Sequence, residues 1–182
     1  MDINKADFWT IIKFGNLEEF LKKLKIENKC IEEVINLVDK NGISLLEKSL
    51  ISRKFDIAKF LLENNAKVNI VSNEGCNELH YVAANINYVG AVDLAYKLVE
   101  MGVDLNLKDK KFSNSAILSL CQEVLKERTR DGNELILHCL EKHPDFNDSN
   151  KFGYSLKRII EERGTEDMKK VMEAVSWKQV VD

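Results

Sequence analysis

The sequence has almost no proline, since Pro144 is the only one in 182 residues, and it has only eight glycines. Connections between elements must therefore be made by other turn-forming residues, mainly Asn, Asp, Ser and Lys. Alternating runs of strand length are also scarce, whereas apolar residues three and four apart are frequent, as in Leu17, Phe20, Leu21 and Leu24. These patterns predict an all-α fold in which β-structure is limited to short hairpins between helices.

An excess of positive charge is also missing. The chain has 27 Lys and Arg against 30 Asp and Glu, which gives a formal charge of -3 and a pI near 5.7. Nucleic acid and anionic membranes attract proteins with concentrated positive charge, so we expect neither as a partner. No apolar run approaches the roughly 18 residues of a membrane-spanning helix, and the first residues do not form a secretory signal.

Paired cysteines and the common catalytic motifs are absent from the sequence. Cys30, Cys76, Cys121 and Cys139 are widely scattered, without a C-x-x-C pair, which is typical of reduced thiols in a cytoplasmic protein. Phosphate-binding glycine loops, the H-E-x-x-H metal motif and the G-x-S-x-G nucleophile motif do not occur. We therefore expect no enzyme, no catalytic residues and no cofactor.

What the sequence does contain is a recurring turn. Four turn-like segments follow one another along the chain, namely "DKNG" at 39–42, "SNEG" at 72–75, "DKKF" at 109–112 and "NKFG" at 150–153. Their offsets are 33, 37 and 41 residues. Segments that end in an apolar residue and asparagine recur with the last two offsets, namely "AKVN" at 66–69, "VDLN" at 103–106 and "PDFN" at 144–147. The agreement predicts tandem units, of which the later two contain insertions.

These units resemble ankyrin repeats, whose pattern is D-x-x-G-x-T-P-L-H-x-A-A followed by x-L-L-x-x-G-A-x-x-N. The closest copy is "NEGCNELHYVAA" at 73–84. The resemblance implies an ankyrin-repeat solenoid of stacked helix-turn-helix units with short hairpin fingers, forming a single domain over 1–182. Its parts are a degenerate N-terminal capping repeat at 1–38, repeats at 39–71, 72–108 and 109–149, and a last partial repeat with a C-terminal capping helix at 150–182.

Several local features follow from this register. Gly42, Gly75 and Gly153 end their fingers, where a left-handed backbone favours glycine. Helix caps are predicted at Ser44, Asn77 and Ser155, and a core between units at Leu46, Leu61, Leu79 and Leu98. Phe112 takes the same place in the third unit, so we predict that this finger is distorted. The inserted residues near 85–90 and 126–133 are predicted to lengthen the loops between the two helices of their units.

Apolar residues at the ends are predicted to cover the terminal units. Phe8 and Trp9 would pack at the front. At the back, Thr165 would cap a helix that covers the last unit or, alternatively, binds a partner. Its apolar stripe consists of Met168, Val171, Met172 and Val175.

Histidine and cysteine offer little chemistry in this sequence. His80 matches the histidine of the family's T-P-L-H stretch, and the resemblance implies a structural side chain bonded to nearby backbone. His138, Cys139 and His143 are the only local cluster of metal-capable groups, and a small metal-binding protein or enzyme built on them is the alternative from another class. Structural zinc needs four ligands and catalytic zinc three, so we expect no metal.

The resemblance implies a non-enzymatic module that binds a protein partner through its concave face and fingers. Richness in Lys, Asn and Ile is typical of an AT-rich bacterial or viral genome. Short, divergent ankyrin proteins of this sort resemble the immunity proteins encoded beside bacterial toxins, so the most specific interpretation is an immunity protein that neutralises a cognate bacterial toxin. A viral or bacterial effector that binds a host regulator is the alternative. We assume a monomer.

The repeat register also predicts the contact residues. Phe152 and Tyr154 are the best anchors, because aromatic side chains carry much of the energy of protein interfaces, with local packing as the alternative for Tyr154. The full set of predicted partner-binding residues is Lys40, Asn41, Lys48, Asn73, Glu74, Tyr81, Asn85, Lys110, Lys111, Gln122, Lys151, Phe152 and Tyr154.

Overall fold

A computed structural model describes the backbone of residues 1–181 and the side chains of residues 1–175. Within that part the chain is all-α, with eleven helices and no strands. The predicted last unit extends to Asp182, which lies outside the described residues. The helices are α1 (Phe8–Phe14), α2 (Leu17–Ile26), α3 (Ile31–Val34), α4 (Leu45–Ile51), α5 (Phe55–Glu63), α6 (Glu78–Ala83), α7 (Ala91–Glu100), α8 (Ala116–Glu127), α9 (Arg130–Leu140), α10 (Leu156–Arg163) and α11 (Glu166–Val181).

Side-chain caps start the helices that follow the turns. Ser44, Asn77 and Ser155 each accept a hydrogen bond from the backbone amide three residues later. In α4 the cap is reciprocal, because the carboxylate of Glu47 accepts from the amide of Ser44. Such caps supply about 1 kcal/mol each and fix where a helix begins without a proline.

The helices lie in two rows. The first row contains α1, α4, α6, α8 and α10, each in contact with the next. The second row contains α2, α5, α7, α9 and α11, and each of these packs against its first-row partner. A ring contact of 6.3 Å between Phe20 and Phe60 joins α2 to α5. The short α3 precedes the first turn.

The core runs between the two rows. Leu46 and Leu79 in the first row and Leu61 and Leu98 in the second are fully buried, as predicted. Burial of one such side chain stabilises the fold by about 1.5–3 kcal/mol. Because each helix pair buries its apolar face against its neighbours, the core continues from one pair to the next.

Both ends of the rows are covered as predicted. Phe8 is buried, and the indole nitrogen of Trp9 donates to the carbonyl oxygen of Ile43 at 2.9 Å. At the other end, the hydroxyl of Thr165 accepts from the amide of Met168, and Met168 and Met172 are buried. Among the described residues, no helix is long and apolar enough to cross a lipid bilayer.

Three of the four turns follow the prediction. Gly42, Gly75 and Gly153 have φ values of 74°, 78° and 72°, in the left-handed region. In the third turn the positive φ falls on Ser113, at 57°, so the placement of Phe112 at the glycine position is wrong. The bridge that closes this turn joins Lys108 to Ser115, which makes it one residue longer than the bridge from Val38 to Ser44.

The two insertions are accommodated differently. Residues 84–90 form the expected irregular connection between α6 and α7. The predicted loop at 126–133 is wrong, since α8 continues to Glu127 and α9 begins at Arg130. Val124 and Leu125 are buried in the extended part of α8, so the apolar stripe favours additional helix over a loop.

Candidate functional site

The four turns form a row joined by backbone hydrogen bonds. Each turn after the first donates a backbone amide to a carbonyl oxygen of the turn before it. The three bonds run from Asn73 N to Asn41 O at 2.8 Å, from Lys110 N to Glu74 O at 2.8 Å and from Lys151 N to Phe112 O at 3.0 Å. The turn backbones therefore hold one another in place and leave the side chains at the tips free to face solvent.

The tip side chains are exposed as predicted. They are Lys40, Asn41, Asn73, Glu74, Lys110, Lys111, Lys151 and Phe152. Two of the lysines also help to hold the row, because Lys110 Nζ donates to Asn73 O at 2.9 Å and Lys151 Nζ donates to Lys110 O at 2.7 Å. These contacts use backbone carbonyls, and among the described residues no carboxylate forms an ion pair with either lysine.

An exposed aromatic pair stands at the last two tips. The rings of Phe112 and Phe152 have centroids 6.2 Å apart and are tilted by 40°. Phe152 is 71% exposed and Phe112 is 40% exposed. Phe112 was not among the predicted contact residues. The signal for it lies in the sequence, because "DKKFSNS" is one residue longer than "DKNGIS" and pushes Phe112 outward from the turn.

Tyr154, the second predicted anchor, is occupied locally. Its hydroxyl donates to Glu162 Oε2 at 3.0 Å, and the guanidinium of Arg158 lies 4.2 Å above its ring. The same guanidinium pairs with Glu162 at 2.8 Å, and these contacts lower the pKa of that carboxyl. Tyr154 therefore packs on α10, and only Phe152 of the two aromatics stands clear.

A cleft of about 470 Å³ opens between α6, α8 and the turns that precede them. Tyr81 and Gln122 line it from the helices, and Lys111 and Phe112 line it from the third turn. Tyr81 and Gln122 are half-buried, as is the predicted Lys48 on α4. The cleft is thus continuous with the row of tips.

Two titratable groups of the cleft, the Tyr81 phenol and the Cys76 thiol, are held in their neutral forms. Tyr81 donates to Ser72 Oγ at 2.8 Å, and burial raises its pKa to about 12. Burial likewise raises the pKa of the Cys76 thiol to about 11. A thiol with so high a pKa is a poor nucleophile at neutral pH.

His80 joins two successive units, as the resemblance implies. Its Nδ1 accepts from the backbone amide of Asn77 at 3.2 Å, and its Nε2 donates to the carbonyl oxygen of Asn114 in the next turn at 3.2 Å. Burial lowers the pKa of the ring. The neutral imidazole therefore serves as a link between α6 and the following turn.

Asn85 does not belong to the exposed face, and its prediction as an exposed contact is wrong. Its amide is buried and donates to the carbonyl oxygens of Leu50 and Tyr81 at 3.2 and 3.3 Å. Its oxygen accepts from Arg53 Nε at 2.8 Å. The side chain thus supplies a donor to the Tyr81 carbonyl of α6 and a second donor to the Leu50 carbonyl of α4, which also accepts from Arg53 N.

Two buried carboxyl groups lie behind the turns, and the sequence analysis did not single them out. Glu47 Oε2 accepts from Ser44 N at 2.7 Å, while Oε1 has no partner among the described residues. Burial, with the negative charges of Glu78 and Asp39 adding to it, raises the pKa of Glu47 to about 8. Burial also raises the pKa of Glu78, whose carboxylate accepts from two amides of the preceding segment.

The histidine and cysteine cluster is not gathered into one ligand set. His138 Nε2 lies 2.7 Å from Glu100 Oε1, and Lys142 reaches the same oxygen at 2.8 Å. Cys139 faces the core, and burial raises its pKa to about 12, while His143 follows the end of α9. Across residues 1–175, no three His, Cys, Asp or Glu side chains are grouped so that they could hold a metal ion.

No family model matches this chain, and a search of curated proteins found no match either. The functional argument therefore depends on the geometry of the turns and the cleft.

Proposed function

We propose that this chain is a divergent ankyrin-repeat solenoid and a non-enzymatic module that binds one protein partner. The observation that carries this proposal is the row of four turns. Their backbones are hydrogen-bonded from each turn to the next, so the exposed tip side chains are not needed for the core. A rigid row with side chains that are free to vary is how repeat proteins present a binding surface.

The cleft between α6 and α8 supports the same function. It adds a concave, half-buried region of about 470 Å³ beside the exposed tips, with Tyr81 on its wall. Protein interfaces combine such recesses with aromatic and polar groups at their centre. The tips together with the first-row helices form the binding face in this proposal.

The chemistry of the cleft favours binding over catalysis. Its thiol and phenol are protonated at neutral pH, and the His80 ring is engaged by two structural contacts. A catalytic base or nucleophile needs a pKa near the working pH and a free lone pair. These groups have instead the properties of a recognition surface.

The narrower proposal is that the partner is a toxin and that the chain neutralises it by covering its surface. The support is the size and divergence of the chain together with its richness in Lys, Asn and Ile, which is typical of an AT-rich bacterial genome.

A photo-cross-linking amino acid placed at two matched lysines tests the binding face. Lys111 lies at a tip and Lys59 is exposed on α5 in the second row. In lysate of the source organism, we expect one protein to be cross-linked from position 111 and not from position 59. Equal labelling from both positions, or none from position 111, would contradict the proposal. Growth arrest by the captured protein, relieved by co-expression of this chain, is the result expected for a toxin.

A further inference from the structure

We propose that the partner docks through an acidic segment whose apolar side chain inserts against the Phe112 and Phe152 rings. The inference rests on the proposed function and names the chemistry of the partner. The surface concerned, here termed the tip patch, consists of Lys110, Lys111, Phe112, Lys151 and Phe152.

The apolar part of the tip patch is large for a solvated turn. Phe152 is 71% exposed, and its main ring contact is with Phe112, which is itself 40% exposed. The ring centroids are 6.2 Å apart, so the contact with Phe112 leaves most of the surface of Phe152 exposed. Covering such rings with an apolar side chain removes unfavourable hydration and is typical of the centre of an interface.

The charged part of the tip patch surrounds these rings. Lys111 Nζ lies 4.8 Å from the centroid of the Phe112 ring. Lys110 and Lys151 are held by the backbone carbonyls of neighbouring tips. Within the described residues, none of the three ammonium groups forms an ion pair, so their charges are available to a partner. Because two of them are already held in place, little side-chain entropy remains to be lost on binding.

The distribution of charge over the tips selects an acidic partner despite the net negative charge of the chain. The eight predicted tip residues include four lysines and a single glutamate, Glu74. Carboxylates in the partner would be attracted by this local field, which also raises the association rate. Attraction of this kind weakens with added salt.

Single-stranded nucleic acid also uses lysines and aromatic stacking, but the neighbouring cleft argues against it. Glu74, Asp109 and Glu123 line that cleft beside the tip patch. A chain of phosphates that continued from the tip patch would meet these carboxylates, whereas nucleic acid requires a continuous positive groove. A peptide is compatible with the charges of both the tip patch and the cleft, because its acidic residues can lie over the lysines and its neutral or basic residues can lie in the cleft.

The test is a selection of random displayed peptides on the immobilised full chain, followed by affinity measurements on four variants. Lys111→Glu and Phe152→Ser change the tip patch, and neither ammonium nor ring is needed for the core. Lys59→Glu and Phe14→Ser are the matched controls, since Lys59 is exposed and Phe14 is 66% exposed away from the turns. Circular dichroism checks that all four fold.

We expect enriched peptides in which Asp or Glu flank an aromatic residue or leucine. Their affinity should fall about tenfold in each tip-patch variant, remain unchanged in both controls and decrease with added salt. The inference is overturned if no peptide is enriched, if the enriched peptides lack acidic residues, or if the tip-patch variants bind as tightly as the controls. Displacement of the peptides by an oligothymidine strand would overturn it in favour of nucleic acid.

The two proposals can fail separately. The peptide selection needs no natural partner, so it judges the tip patch even when cross-linking captures nothing. A partner that is cross-linked from position 111 but binds the Lys111→Glu and Phe152→Ser variants normally would overturn the acidic-segment inference and leave the proposed function intact.

Discussion

Replacement of Glu47 by glutamine should remove part of the pH dependence of the free energy of unfolding. Glu47 is fully buried in α4, where one carboxyl oxygen accepts from Ser44 N and the other has no partner among the described residues. Glutamine has the same shape and keeps an acceptor for the Ser44 amide. It cannot ionise, so Glu47→Gln removes the charge without opening a cavity.

The sign follows from the raised pKa. In the folded chain the pKa of Glu47 rises from its ordinary value of 4.5 to about 8, so the folded state binds the proton more tightly than the unfolded state does. The native protein therefore loses stability as the pH rises from about 4.5 to about 8 and shows no further loss from this group above that range. Glu78 and Asp39 face Glu47, and both are present in the native chain and in the variant.

The size of the effect is bounded by the same shift. At about 1.4 kcal/mol per pKa unit, the full difference would be about 5 kcal/mol at alkaline pH. Relaxation of the surrounding protein screens a buried charge and reduces this difference, so we expect about 2 kcal/mol. The NH₂ group of the new glutamine stands where Oε1 of Glu47 has no partner. It costs about 1 kcal/mol at every pH, so it lowers the free energy of unfolding without changing its pH dependence.

Urea unfolding followed by far-ultraviolet circular dichroism between about pH 5 and about pH 9 measures this difference. Glu33→Gln is the matched control, because Glu33 holds the same capping position in α3 but is exposed and has a pKa lowered by the hydrogen bond from the Cys30 amide. The free energy of unfolding of Glu47→Gln relative to the native chain should rise with pH, whereas that of Glu33→Gln should not. A difference for Glu47→Gln that is constant across this range would refute the reasoning.

Three further predictions concern single side chains, each measured as the free energy of unfolding in urea. Asn85→Ala removes the donor to the Tyr81 carbonyl, one of two donors to the Leu50 carbonyl and the acceptor for Arg53 Nε, and should cost about 1–3 kcal/mol. Loss of the exposed Asn87 should cost almost nothing, and equal costs would contradict the buried role of Asn85. Gly42→Ala should destabilise the fold more than Gly153→Ala. Both glycines have a positive φ, but only at Gly42 would the new Cβ lie against the neighbouring turn, at 3.2 Å. The opposite order would be inconsistent with the hydrogen-bonded row of turns. Phe20→Ala should cost about 3–5 kcal/mol, and a cost under about 1 kcal/mol would show that α1, α2 and α5 do not share one core.

The elements that the sequence predicts best are those set by near neighbours. Ser44, Asn77 and Ser155 cap their helices as expected, because a cap bonds an amide three residues away. Gly42 and Gly75 are equally local, since backbone sterics alone favour glycine there. The all-α fold follows from the sum of such signals.

The features that the sequence predicts poorly depend on distant residues. From the sequence, Asn85 is expected to be an exposed helix residue. In the structure it is buried, and its amide donates to the carbonyl oxygen of Leu50, 35 positions earlier. The raised pKa of Glu47 comes mainly from burial and in part from the negative charge of Glu78, in the next unit. In the candidate site, the exposure of Phe152 was predictable. Its contact with Phe112 was not, because it depends on the third turn being one residue longer than its neighbours.

The arrangement of the two rows also bears on how the chain is made. The main contacts of each helix pair are with the pair before it and the pair after it. As the chain emerges from a ribosome, each new pair therefore meets a face that is already complete, and burial proceeds in the order of synthesis. A nascent chain that ends after α9 would already hold α1 to α7 in their final arrangement, with only its newest helices waiting for the next segment.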